Sequence, residues 1–163
     1  MKTLYLVRHA KSSWNYPELM DEERPILEKG KRRTKKVIDY LLKNRVTVDY
    51  IKSSHAVRAM ETAKIIAHAL RYPVDNIKVE KQIYHASADQ LFDQFFDLPD
   101  SVESLMLVGH NPTFTNFANF FLDKKIDWLP TSGIVSISFK TDSWTDIIRA
   151  RNKTNFVIYP KKL

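Results

Sequence analysis

Leu4-Tyr5-Leu6-Val7-Arg8-His9 begins with four consecutive apolar residues and ends on an arginine and a histidine. A run that is apolar at every position, rather than at alternate ones, reads as a central strand covered on both faces. The pattern recurs about a hundred residues further on, where Ser104 to Val108 leads into Gly109-His110. In open parallel sheets, ligands bind in the crevice beyond the carboxyl ends of the strands. Two neighbouring central strands ending this way would deliver both imidazoles to that crevice. A lone histidine at a strand end is usually structural, but two at matching ends, one preceded by arginine, point to chemistry.

Outward from these strands, helix and strand patterns alternate. Glu28 to Asn44 has helical spacing, with Val37, Ile38, Leu41 and Leu42 as its stripe. Val48 to Ser53 reads as a short strand. Ala56 to Leu70 reads as an amphipathic helix, with Ala56, Ala59, Met60, Ala63, Ile66, Ala67 and Leu70 on one face. Tyr72-Pro73 is expected to end it. A short strand from Ile77 to Val79 and a helix from Ala88 to Phe96 follow. Asn111 is the expected N-cap and Pro112 the first residue of a helix carrying Phe114, Phe117, Ala118 and Phe121. Ile134 to Phe139 alternates like a strand, with Asp146 to Ala150 as its antiparallel edge partner. Repeats, low-complexity tracts and linkers are absent. This order predicts an α/β fold, a three-layer sandwich with a central, mostly parallel sheet and helices on both faces.

With 163 residues, 44% of them hydrophobic, the chain has the length of one catalytic domain spanning 1–163 and enough apolar residues for a real core. The absence of cysteine excludes disulfides and thiolate metal sites. With no membrane-length apolar run and no signal region, a soluble cytoplasmic protein is expected. The net charge of +7 suits an anionic partner. Much of the excess lies in Lys29, Lys31, Arg32, Arg33, Lys35 and Lys36, which read as a solvated helix face. They lack the interleaved aromatic residues that binding single-stranded nucleic acid needs.

Arg58 falls in the first turn of its helix, off the apolar stripe, where the positive helix end favours anions. Its guanidinium offers a rigid fork that matches phosphate oxygens. Taken together, Leu6-Val7-Arg8-His9-Ala10, Ser54 with Arg58-Ala59 and Thr62, and Val108-Gly109-His110 resemble the signature of the histidine phosphatase (phosphoglycerate mutase-like) superfamily. Arg8-His9-Ala10-Lys11-Ser12, Glu23-Arg24-Pro25 and Thr131-Ser132-Gly133 resemble its short SixA-like phosphohistidine phosphatase branch. The resemblance runs from Leu4 to about Pro160.

The resemblance implies that His9 attacks phosphorus in line and carries the phosphoryl group on a ring nitrogen. The other ring nitrogen must then donate to a fixed acceptor. Arg8, Arg58 and His110 would hold the phosphoryl oxygens. Water would hydrolyse the phosphoenzyme. Arginines and a protonated His110 would stand in for a cation, so neither a metal nor another cofactor is expected. Larger members use a glutamate after the second helix to protonate the leaving oxygen. Here that place falls near Lys81-Gln82-Ile83-Tyr84, with no carboxylate at the expected position and Glu80 close by.

An alkoxide leaves poorly without an acid. Phosphoimidazole can protonate its distal nitrogen, at about the pH of ordinary imidazole, 6.5, and leave as neutral imidazole. Lys11 and Ser12, just past His9, are candidates for the phosphate mouth, and Gln82 and His85 are further pocket candidates. His85 could serve as a substitute proton donor or be a surface residue, whereas His55 and His68 read as structural.

The expected activity is therefore phosphatase action on a phosphorylated protein or small phosphorylated substrate, in a signalling context, with no nucleic-acid or membrane partner. One rival reading is a broad small-molecule phosphomonoesterase, although the chain has little length for a capping insertion. Another is a phosphate-recognising or nucleic-acid-binding module without turnover. Against that stands the set of His9, Arg8, Arg58 and His110, because binding alone needs no nucleophile flanked by arginine.

Overall fold

The computed structural model describes residues 1–163. Its six strands are β1 (Lys2–Arg8), β2 (Tyr50–Ser53), β3 (Lys78–Val79), β4 (Ser104–Gly109), β5 (Ile134–Phe139) and β6 (Asn152–Ile158). The α-helices are α1 (Glu28–Lys43), α2 (Val57–Ala69), α3 (Ala88–Phe92) and α4 (Thr113–Phe121). The strands form one sheet in the order β3-β2-β4-β1-β5-β6. β3, β2, β4 and β1 pair in parallel, and β5 alone runs against both its neighbours. No helix is long and apolar enough to cross a membrane.

The unbroken apolar runs are explained by the layers on either side of the sheet. Side chains alternate across a strand. Leu4, Leu6, Leu105 and Leu107 therefore face one way, packing with Phe95, Phe114 and Phe117 from the α3–α4 side. Tyr5, Val7, Met106 and Val108 face the other, against Val37, Ile38 and Leu41 of α1 and Ala59, Ala63 and Ile66 of α2. Both faces are dry, so neither strand carries the alternate polar residues of a solvated sheet. Parallel pairing of β1 with β4 sets Val7 beside Val108 and Arg8 beside Gly109. His9 and His110 thus leave the sheet side by side.

Several boundaries differ from expectation. The edge strand is Asn152–Ile158, not Asp146 to Ala150. Buried Trp144 instead anchors a 3-10 turn over Trp144–Asp146, its indole Nε1 donating to the Val102 carbonyl at 2.7 Å. α4 starts at Thr113, with Pro112 rather than Asn111 at the N-cap. Asn111 still does capping work from one residue upstream, its Oδ1 accepting from the Thr115 N–H at 3.1 Å. α2 ends before Pro73 is reached, because Arg71 turns left-handed at φ 59°. The Tyr72 N–H then closes back on the Ala67 carbonyl at 2.8 Å, and Arg45 ends α1 in the same way. Leu42 is exposed, and Met60 and Leu70 are half-buried, so the two apolar stripes are narrower than the spacing implied. The α-helix begun at Ala88 gives way after Phe92 to a 3-10 turn, Asp93–Phe95.

Candidate active site

β1 hands the chain to a tightly fixed turn. The His9 N–H donates to the Gly109 carbonyl at 3.1 Å, locking the end of β1 to that of β4. The Ala10 N–H donates to Thr62 Oγ1, which in turn donates to the Arg58 carbonyl at 2.7 Å. From the opposite side the Ser132 N–H meets the carbonyls of both Arg8 and His9 at 3.1 Å. Ser132 has φ 59°, a conformation of non-glycine residues that costs on the order of 1–3 kcal/mol. Its hydroxyl is held by Thr34 Oγ1 at 2.7 Å.

This frame decides the state of His9. Its Nδ1 lies 2.8 Å from the Ala10 carbonyl, an acceptor only, so Nδ1 carries the proton and Nε2 keeps its lone pair. Burial, with the charges of Arg58, Arg8 and Arg24, pushes the imidazole down to about 4, outweighing the bond to Ala10. His9 is therefore neutral at pH 7, with Nε2 unpartnered in the cleft that the ring lines.

His110 is neutral too, which corrects the expectation of a protonated ring. Burial, then His9 and Arg58, push it down to about 2. Its Nε2 lies 2.8 Å from Ser54 Oγ, which itself accepts from the Ala56 N–H. The Ser54 hydroxyl is thus free to donate to Nε2, leaving the ring proton on Nδ1, which is buried without a partner. The two imidazole centroids are 5.2 Å apart. Gly109 lets Phe114 and Ile83 pack against the end of β4, because a Cβ there would stand 2.6 Å from the Phe114 ring.

Around the histidines lies a cleft of about 420 Å³ containing Arg8, Arg24 and Arg58, with Lys11 and Ser12 at the turn and Arg33 from α1. No aspartate or glutamate lines it. Arg58 is buried, and Asp21 accepts from both its terminal nitrogens, through the backbone carbonyl at 2.7 Å and the carboxylate at 2.9 Å. Arg8 donates to the Leu129 carbonyl at 3.1 Å. Nε of Arg8 and Nε of Arg58 are buried and unpartnered.

Asp21 sits behind these cations. Partial burial pushes its carboxyl upward, but hydrogen bonds from Tyr84, Arg58 and Arg24 and the Arg58 charge outweigh this and hold it well below the usual range. It is ionised and cannot act as an acid.

The structure thus brings His9, Arg8, Arg58, His110, Lys11 and Ser12 to one cleft. Gln82 is not among them, since its side chain is exposed and accepts from Gln94 Nε2 at 3.2 Å. His85 lines a smaller adjoining pocket of about 240 Å³, with His110 and Asn111 between it and the main cleft. Glu80 pairs with Lys78 at 3.4 Å, outside the cleft. His55 bridges to Glu22 at 3.2 Å.

Residues 4–81 match the family model for the histidine phosphatase superfamily, branch 1. An Agrobacterium tumefaciens protein named as a phosphohistidine phosphatase SixA superposes with a TM-score of 0.82 at 25% identity, covering 98% of each chain. The chain is similar to the histidine phosphatase superfamily in residues 4–81 and in its fold. Its likeness is to the SixA-like branch. A Nakamurella SixA protein also superposes with a TM-score of 0.82, at 19% identity and covering 98% and 96% of the two chains. An uncharacterized protein of Mycobacterium tuberculosis is 28% identical over 153 residues, 86% of this chain and 91% of its own.

Three features of this site escaped the sequence reading. Arg24, noted only as part of a motif, is buried, donates to Ser12 Oγ at 2.8 Å and stacks 3.6 Å from the Trp14 ring. Asp21 joins Arg24, Arg58 and the Tyr84 hydroxyl. Trp128 lies across the cleft, its ring 5.7 Å from the Arg8 guanidinium. Arg24 alone carried a signal, in Glu23-Arg24-Pro25.

Proposed function

We propose that this protein is a histidine phosphatase that cleaves the P–N bond of phosphohistidine in a protein through a phosphoryl intermediate on His9, without a metal. The observation that carries the reading is the pairing of a neutral His9, its Nε2 lone pair free, with a cationic cleft that has no lining carboxylate.

In the first step Nε2 attacks phosphorus while the bond to the substrate imidazole breaks, and the phosphoryl group moves to His9 with no net change in its oxygens. The guanidinium groups of Arg8 and Arg58 and the ring of His110, which line the cleft, are the groups that would hold those oxygens. Fixed in place before substrate arrives, they need no reorganisation as charge develops. The leaving imidazole departs neutral, having taken its proton at the distal nitrogen from solvent. Water then attacks phosphorus, inorganic phosphate leaves, and His9 returns to its Nδ1–H tautomer, held throughout by the Ala10 carbonyl.

An ester substrate would need an acid at its leaving oxygen. The cleft has no carboxylic acid to offer, and Asp21, which pairs with Arg58 and Arg24, is ionised. Testing this means comparing kcat/KM for a phosphohistidine peptide with that for a panel of aryl and alkyl phosphates. The peptide should be hydrolysed fastest, and a clear preference for an alkyl phosphate would overturn the reading.

A further inference from the structure

A second depression, of about 400 Å³, opens beside the catalytic cleft and shares Arg33 and Thr131 with it. Lys36 and Lys161 complete its cationic wall, and Pro130, Tyr159 and Pro160 line the rest. Arg33 and Lys36 are three residues apart on α1, so they emerge from the same helix face. Lys161 comes from the turn after β6, which packs against α1. None of these three cations takes part in a salt bridge.

Cleft and annexe together are lined by seven arginines and lysines and by no aspartate or glutamate. A phosphoryl group brings a charge of at most about −2. The remaining positive charge repels itself on the free surface and is complementary to a ligand with more negative charge next to its phosphoryl group. The form of the annexe indicates which ligand. A compact second phosphate is best held by converging bidentate arginines, as in the cleft. Two exposed lysines on flexible stems, spread along a proline-edged surface, instead suit carboxylates at several positions of an extended chain.

We propose that this annexe binds acidic side chains flanking the phosphorylated residue of a protein substrate, an inference that rests on the protein-substrate reading above. Lys36 and Lys161 lie outside the catalytic cleft and are exposed, so both can be changed without touching the chemistry or the core.

The test compares two phosphohistidine peptides of equal length, one flanked by Asp and Glu and one by Asn and Gln. Both are given to the wild type and to the Lys36→Gln/Lys161→Gln variant, with p-nitrophenyl phosphate as the substrate lacking a second anion. The acidic peptide should be favoured on the order of three- to tenfold in kcat/KM, through KM, as expected for a few exposed ion pairs. The preference should fade with added salt and vanish in the variant, with aryl phosphate turnover unchanged.

Anisotropy of a labelled, unphosphorylated acidic peptide supplies a readout independent of turnover. Binding to the wild type that weakens in the variant supports the annexe even if neither phosphopeptide is hydrolysed, in which case the phosphohistidine reading alone falls. Equal kcat/KM for the two peptides with the wild type, or equal binding of the labelled peptide to wild type and variant, overturns the proposal.

Discussion

Asp21 grips Arg58 twice, its carbonyl oxygen 2.7 Å from Nη1 and its carboxylate 2.9 Å from Nη2. The same carboxylate takes Arg24 and the Tyr84 hydroxyl, so one exposed loop residue fixes two buried guanidinium groups. Asp21→Asn keeps the shape but removes the charge. It should lower kcat by roughly 10-fold or more, because the arginines lose the anchor that aims them. KM should stay level or fall, since a negative charge beside an anion site has been removed. A rise in KM with kcat unchanged would show that Asp21 has no positioning role.

Arg58→Lys tests the fork itself. A lysine keeps the charge but cannot span both Asp21 oxygens while presenting a further N–H to the cleft. It should fall close to Arg58→Ala, each losing on the order of 10²-fold in kcat, the scale of a lost transition-state donor. Near wild-type rates for the lysine variant would reduce Arg58 to a background charge.

Folding lowers the proton affinity of His9 from an ordinary value of about 6.5 to about 4. Between these values the unfolded chain binds a proton that the folded chain refuses. Stability should therefore rise with pH across this window and be lost as pH falls toward 4, by on the order of 3 kcal/mol from His9. His110, also lowered, acts in the same direction. Urea denaturation at pH 4 to 7 reads the slope, and NMR of the ring protons reads the midpoint. Inorganic phosphate should move the His110 titration upward. A His9 midpoint near 6.5 would mean that burial and the arginines do not act on the ring as the geometry implies.

His9→Ala should abolish turnover with the fold retained, because the ring belongs to neither apolar core. Acid-labile phosphate should accumulate on the wild type during turnover and be missing from this variant. Acid-stable label, or label persisting on His9→Ala, would exclude His9 as the carrier.

The parts of this site that could be read from the sequence are those attached to periodic structure. His9 and His110 were placed by the apolar runs before them, and Arg58 by its offset from an amphipathic stripe. Asp21, Arg24 and Trp14 lie in the long connection from β1 to α1, where no period says which residue turns inward. Trp128 and Tyr84 are likewise loop residues whose partners are distant in the chain. The edge strand was misplaced because Asn152 to Asn155 is polar and exposed, as one side of an edge permits, whereas the nearby Ile147-Ile148 imitates a strand. The protonation of His110 went wrong for a different reason. It depends first on how deeply the ring is buried and then on the charges around it, which only the assembled fold reveals.

The leaving group provides the last test. Without a carboxylic acid in the cleft, rates among phosphomonoesters should depend steeply on leaving-group pKa. Aryl phosphates with acidic phenols should be cleaved and sugar phosphates should be very slow, with phosphohistidine ahead of both. Glu80 and His85 are the nearby groups that could substitute for the acid. Glu80 is tied to Lys78 outside the cleft, and His85 lies beyond His110 in the adjoining pocket. Glu80→Gln and His85→Asn should each leave phosphohistidine turnover within a few-fold, well short of the roughly 10²–10⁴ that general acid catalysis contributes. Efficient hydrolysis of unactivated alkyl phosphates, lost on changing either residue, would mean that an acid reaches the scissile oxygen. The protein would then be an ester-cleaving phosphatase.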